Sequence, residues 1–253
     1  MSMSGSVALI SGGTSGIGAA CVKDLLSQGA TVAIIGRDKR KADQFLGELT
    51  DAHRVAVIAG DVASSQFCEL AVQETVRKFG RLDFLINSAA VIRRASILET
   101  TDEMWLDTLG ANVSGTFYLC RAAIRHMRTQ GGGSIVNIAS EWGLVGARGH
   151  AAYCASKGAV VNLSRALALD HARDNIRVNV ICPGEVNTPM LRSNFEARGL
   201  DVTAGLKALG DTIPIGRVSE PAEQAECIRF LLSKAASYVT GAVFSSDGGS
   251  TAR

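Results

Sequence analysis

The chain has no Cys-x-x-Cys pair, no Cys/His spacing able to grip a metal, and no block of like charges. Its six cysteines, Cys21, Cys68, Cys120, Cys154, Cys182 and Cys227, are scattered singly. In a chain of 253 residues that reads as reduced, mostly buried thiols rather than a secreted disulfide framework. The opening residues lack a basic segment followed by an apolar one, and Val7–Ile10 is too short for a signal peptide or a membrane span. A cytoplasmic location with no membrane partner is therefore expected. Lys and Arg number 26 against 24 for Asp and Glu, a net charge of +2, which excludes the broad basic footprint of a nucleic-acid binder. Repeats and low-complexity segments are missing too. At 47% hydrophobic and 20% charged residues, the composition is that of a folded globular protein and excludes disorder.

What is present is alternation. Short apolar runs at Val7–Ile10, Thr31–Ile35, Val55–Ala59, Phe84–Ile86, Ser134–Ile138, Arg177–Ile181 and Ala242–Ser245 read as strands. They are almost continuously apolar, as strands covered on both faces of a parallel sheet must be. Helical patterns lie between them at Ile17–Gln28, Lys39–Leu49, Ser64–Phe79, Thr116–Arg128, Ala151–His171 and Pro221–Leu232. Gly29 and Gly80 follow two of these as C-terminal stops, and Pro221 opens the last. The expectation is an α/β fold over residues 1–253: one doubly wound Rossmann domain, a parallel sheet of about seven strands with helices on both faces. The one long stretch without a strand, residues 185–219, is expected to be an inserted substrate lid.

The first strand runs into Ser11-Gly12-Gly13-Thr14-Ser15-Gly16-Ile17-Gly18. Glycines let the backbone turn sharply and approach a pyrophosphate, and the following helix offers free N–H groups and a positive dipole end. The spacing is Gly-x-x-x-Gly-x-Gly, and no Gly-Lys-Ser/Thr follows, so a P-loop is excluded. The second strand ends in Gly36-Arg37-Asp38. Gly36 stands where an NAD site places a carboxylate for the ribose hydroxyls, and the Arg37 guanidinium can fork onto a 2′-phosphate. NADP(H) is therefore preferred. NAD(H) is the alternative, with Asp38 reaching the ribose instead of capping a helix.

Tyr153 and Lys157 stand at i and i+4, on one face of a helix, and Ser140 follows a strand end, where ligands bind in such sheets. A carbonyl that receives a hydride also needs a proton. A free tyrosine has a pKa of about 10, which a neighbouring ammonium would lower. Ser140 could donate a hydrogen bond to the substrate oxygen.

These motifs, in this order, resemble the short-chain dehydrogenase/reductase family over essentially the whole chain. Gly12, Gly16 and Gly18, with Thr14, Ser15 and Ile17 in the same turn, match its cofactor segment. The resemblance implies that Asp61 and Val62 contact adenine and that Asn87-Ser88-Ala89-Ala90 stands for the family's Asn-Asn-Ala-Gly segment, departing from it at Ser88 and Ala90. Asn112, Ser140, Tyr153 and Lys157 match its four catalytic positions, Lys157 also holding the nicotinamide ribose and Asn112 a relay water. Pro183-Gly184-Glu185-Val186-Asn187-Thr188 matches its nicotinamide-side segment, Val186 binding the carboxamide through its backbone and Thr188 contacting it or a phosphate. No metal is implied. A homodimer or homotetramer is.

The function so implied interconverts a secondary alcohol with a ketone or aldehyde on a small-molecule substrate. The alternatives are an NAD-dependent alcohol or polyol dehydrogenase, a 3-oxoacyl-carrier-protein reductase receiving its carrier on Arg93, Arg94 and Arg148, and a non-catalytic cofactor-binding regulator. Enoyl reductases of the superfamily space Tyr and Lys more widely. Substrate walls are expected from residues after Ser140, after Pro183 and in the 190–215 stretch, where Met190, Leu191, Phe195, Leu200, Leu206 and Leu209 give an apolar side; Trp142 either covers a substrate face or packs beneath its loop, and Arg148 and His150 are expected to be exposed loop residues. Glu141 is expected to make a structural hydrogen bond.

Overall fold

The structure, a computed structural model, describes residues 2–252; the two end residues lie outside it. Strand β1 (Val7–Ser11) is buried at every position, as an apolar run covered on both sides requires. It is followed by β2 (Thr31–Gly36), β3 (Val55–Ala59), β4 (Phe84–Asn87), β5 (Gly133–Ile138), β6 (Ile176–Pro183) and β7 (Val243–Ser246). All pair in parallel, in the order β3-β2-β1-β4-β5-β6-β7. The order reverses between β1 and β4, and a crevice opens there at the carboxyl ends of the strands.

Helices cover both faces. On one, α1 (Gly16–Ser27) packs with α9 (Pro221–Leu232) through Val22, Leu25, Ile228 and Leu231. On the other, α3 (Ser65–Phe79) and α5 (Gly115–Gln130) bury Cys68, Val72, Leu119 and Met127 against the sheet. The remaining long helix, α6 (Ala151–His171), lies against β6 and carries Tyr153 and Lys157. Local signals set the ends. Asp38 accepts from the Arg40 and Lys41 N–H groups at the start of α2 (Lys39–Gly47), and Gly80 and Gly131 stop α3 and α5 at φ of 80° and 94°.

Three helices are additional to the expected set. Thr101 caps α4 (Asp102–Leu109), which runs through a π-helical turn, Gly110–Ser114, directly into α5. The 185–219 stretch contains α7 (Pro189–Ala197), capped by Thr188 with Pro189 in its first turn, and α8 (Val202–Gly210), capped by Asp201. The α8 backbone at Gly205 packs so closely on Phe195 that a Cβ there would lie 2.7 Å from its ring. Helix α2 ends two residues earlier than expected, at Gly47, where the backbone entropy of glycine weakens the helix.

Candidate active site

A cavity of about 370 Å³ occupies the crevice. Its floor at one end is the turn after β1. Gly12 has φ +68°, and a Cβ there would stand 2.9 Å from the Ala89 backbone; one on Gly18 would stand 2.3 Å from the Gly12 carbonyl. Only glycine lets the turn, the start of α1 and the end of β4 come this close. Ser15 occupies the N-cap of α1 without a side-chain cap, unlike Asp38, Ser64 and Thr101 on α2, α3 and α4. The first N–H groups of α1 thus keep their donor capacity toward the cavity, alongside the positive end of the helix. That donor set fits the diphosphate of a dinucleotide.

At the outer end, Gly36, Arg37, Asp38, Lys41, Asp61 and Val62 line the same cavity. Arg37 is exposed. One Asp38 oxygen already takes both cap bonds, at 2.9 and 3.3 Å, as a helix cap does.

At the inner end, Ser140, Tyr153 and Lys157 are all buried. Ser140 leaves β5 and caps a short 3-10 turn, its hydroxyl accepting from the Trp142 N–H at 3.2 Å and meeting the Tyr153 phenol. The Lys157 ammonium donates to the Ile138 carbonyl at 2.8 Å and lies 5.6 Å from the centre of the Tyr153 ring. A Cβ on Gly143 would stand 2.8 Å from the Lys157 backbone, so the loop after Ser140 is pressed onto α6. Trp142 stands edge-on to Tyr153, with ring centres 6.1 Å apart, and packs on His150 at 4.4 Å.

Burial pushes the Tyr153 phenol up to about 12, against the favourable contact with Ser140. Burial also pulls the Lys157 ammonium down to about 8. Desolvation acts on both groups, and the lysine spends one of its hydrogens on a backbone carbonyl.

Of the residues singled out in the sequence, Gly12, Thr14, Ser15, Gly16, Ile17, Gly36, Arg37, Asp61, Val62, Ala89, Ser140, Tyr153, Lys157, Pro183, Gly184, Val186 and Thr188 all line the cavity. Three stand off its wall. Gly18 works by close packing. Asn87 turns into the protein, donating to Asn137 at 2.8 Å and to the Cys120 sulfur at 3.3 Å. Asn112, inside the π turn, accepts from the Val91 N–H at 2.8 Å and donates to the Val91 carbonyl and the Ser156 hydroxyl, each at 3.0 Å. Its side chain ties the strand-end loop to α6, one turn from Tyr153.

Glu141 is buried against Ser250, whose hydrogen bond lowers its carboxyl, while its Oε2 has no partner; burial, with Glu185 and Asp247 nearby, outweighs that bond and raises the carboxyl to about 7. Arg93 turns away and pairs with Asp107 at 3.5 Å, whereas Arg94, Glu185, Met190 and Leu191 line the cavity. Arg94 and Glu185 were not picked out as a pair, because no spacing rule relates positions so far apart.

A family profile described as "Enoyl-(Acyl carrier protein) reductase" matches residues 12–251. The chain is 39% identical to the 2,5-dichloro-2,5-cyclohexadiene-1,4-diol dehydrogenase of Sphingobium indicum, over 99% of this chain and 98% of that one. The chain belongs to the short-chain dehydrogenase/reductase family. It is also 38% identical to the D-threitol dehydrogenase of Mycolicibacterium smegmatis, over 98% and 94% of the two chains. The solved structure of an actinorhodin polyketide ketoreductase variant with NADPH superposes with a TM-score of 0.93 at 34% identity, covering 99% of each chain. This short-chain dehydrogenase/reductase is accordingly an oxidoreductase acting on hydroxyl donors, with a nicotinamide dinucleotide as its redox partner. Among its described residues, no helix is long and apolar enough to cross a membrane, and no group of His, Cys, Asp and Glu is arranged to hold a metal ion.

Proposed function

We propose that this enzyme interconverts a secondary alcohol and a ketone with NADP(H), using Tyr153 as its acid and base. The observation that carries the proposal is the buried convergence of Ser140, Tyr153 and Lys157 at one end of a cavity whose other end is the uncapped start of α1. The dinucleotide supplies the acceptor or donor of a hydride at the substrate carbon. The N–H groups around Ser15, Gly16 and Ile17 would hold its diphosphate, Asp61 and Val62 its adenine, Val186 and Thr188 its nicotinamide end, and Lys157 the adjoining ribose.

In the oxidising direction the phenolate of Tyr153 takes the proton of the substrate hydroxyl while Ser140 holds that oxygen; in the reducing direction Tyr153 returns it. A phenol that burial holds at about 12 is a reluctant base at neutral pH, so the phenolate needs positive charge beside it. Lys157 is the cation placed to provide it. Asn112 acts by fixing the loop at Val91 and the Ser156 turn of α6, which sets the Tyr153 backbone; a relay water on it belongs to the same proposal. The stretch 185–219, carrying Met190 and Leu191 at the cavity, closes over the substrate.

NADP(H) is favoured over NAD(H) because Arg37 and Lys41 line the adenosine end, where one Asp38 oxygen is already taken by its helix. The relatives' names speak for small alcohols and polyols, and the Tyr-x-x-x-Lys spacing speaks against reduction of a carbon–carbon double bond. A cytoplasmic location and a homodimeric or homotetrameric assembly complete the proposal. Titrating the protein with NADPH and NADH by cofactor fluorescence tests it: NADPH is expected to bind at least ~10-fold tighter, and Arg37→Asp to erase that margin. Equal affinities in the unsubstituted protein would remove Arg37 from the phosphate site; binding of neither would undo the cofactor reading altogether.

A further inference from the structure

Beyond the reacting oxygen, the cavity contains two opposite charges that do not meet. Arg94, from the loop after β4, and Glu185, from the loop after β6, both line it beside Tyr153, and both also line an adjoining groove of about 540 Å³. They therefore stand where the catalytic cavity opens into the groove. Both thus face the same cavity as the Tyr153 phenol.

Neither residue sits on a loose loop. The Arg94 Nε donates to His150 Nε2 at 3.2 Å, His150 Nδ1 bonds the Arg148 carbonyl at 2.8 Å, and the Ala95 N–H donates to the Gly149 carbonyl at 3.0 Å. The guanidinium is thus held by one nitrogen with its outer two left to donate. The Glu185 backbone is clamped by Ser219, whose N–H donates to its carbonyl at 3.0 Å, next to a parallel bridge between Val186 and Ser219. Its half-buried side chain, among the described residues, takes no hydrogen bond and forms no ion pair.

We propose that Arg94 and Glu185 read a second hydroxyl next to the reacting carbinol, which makes vicinal diols and the corresponding hydroxyketones the substrate class of this enzyme. The proposal rests on the dehydrogenase reading above. Charge selects the ligand. An anionic substituent would be repelled by Glu185, and an ammonium by Arg94. A neutral hydroxyl donates to the carboxylate and accepts from the guanidinium, satisfying both at once. An alcohol without that hydroxyl would leave a half-buried carboxylate desolvated and unpaired, the situation in which a site discriminates most strongly. The overall reaction is a dehydrogenation in which the carbinol C–H gives a hydride to the oxidised dinucleotide, its O–H gives a proton to Tyr153, and the second hydroxyl is unchanged.

The test is kcat/KM for butane-2,3-diol against butan-2-ol. The unsubstituted enzyme is expected to favour the diol at least ~100-fold. Glu185→Leu and Arg94→Met should each bring that ratio below ~10, and Glu185→Gln, whose amide oxygen still accepts, should fall between. A ratio near one in the unsubstituted enzyme, or one unmoved by both Glu185→Leu and Arg94→Met, overturns the proposal and leaves the dehydrogenase reading standing. If Glu185→Leu fails to fold, judged by its melting curve, Glu185→Gln and the exposed Arg94→Met decide. Turnover of neither alcohol, nor of their ketones, by enzyme that binds NADPH would sink the dehydrogenase reading itself and this proposal with it.

Discussion

The two ends of the cavity are built in different ways. The end at α1 is made of backbone: Gly12 and Gly18 bring chain segments to distances no Cβ permits, Gly16 turns at φ +55°, and the donors are main-chain N–H groups. The end at α6 is made of side chains that burial has moved away from their ordinary protonation, Tyr153 upward and Lys157 downward. A backbone cradle responds to shape and is indifferent to pH, whereas a buried cluster of titratable groups responds to charge. Binding and chemistry should therefore fail separately.

The largest expected effect falls on chemistry alone. Tyr153→Phe removes the hydroxyl proposed as the acid and base and should lower kcat by at least ~10³-fold, within the range of general acid–base catalysis, while NADPH affinity stays within ~3-fold. Steady-state rates and a fluorescence titration on the same preparation check this; substantial residual turnover would mean that the proton comes from elsewhere.

Next in size is the converse. Gly18→Ala places a methyl group 2.3 Å from the Gly12 carbonyl, so either the turn or α1 must shift. Overpacking of this kind costs about 1–3 kcal/mol, and NADPH affinity should drop ~10-fold or more at every pH between 6 and 9. A loss that varied with pH would mean that the cradle is not purely steric, and the contrast between the two ends would blur.

The smallest effect concerns stability on the catalytic side. The Glu141 carboxyl keeps its proton up to about pH 7 in the folded protein, against an ordinary value of 4.5. A carboxyl with a raised folded value stabilises the fold below its unfolded value, and that stabilisation is lost as pH rises through the folded one. Glu141→Gln should therefore melt ~2–4 °C above the unsubstituted protein at pH 8, with the gap closing toward pH 4.5. Thermal melts across that range check it, and a gap independent of pH would show that Glu141 acts by packing rather than charge.

Much of this was legible in the residues. The apolar runs at Val7–Ile10 and Thr31–Ile35 could only belong to a sheet covered on both sides, and Asp38, Ser64 and Gly80 marked helix ends through local bonds within a few residues. The glycine turn and the Tyr153–Lys157 pair were readable for the same reason: each is a short-range arrangement. Helix α4 and its π turn were not, because that turn is held by Asn112 bonding across to Val91 and Ser156. Nor could the sequence say that Asn87 turns inward to Asn137, or that Glu141 is buried with one oxygen unpartnered and Glu185 and Asp247 nearby.

By itself, then, the sequence determined the parallel α/β class, the glycine turn after β1 and the Tyr153–Lys157 pairing on one helix face, since each depends on periodicity or on spacings of a few residues. Only the tertiary structure decided which of the named residues reach the cavity and how far burial moves Tyr153, Lys157 and Glu141. It also decided that Arg94 and Glu185, far apart in the chain, line one cavity. Desolvation and charge proximity arise when strands distant in the chain become neighbours in the sheet, and no local pattern encodes that distance.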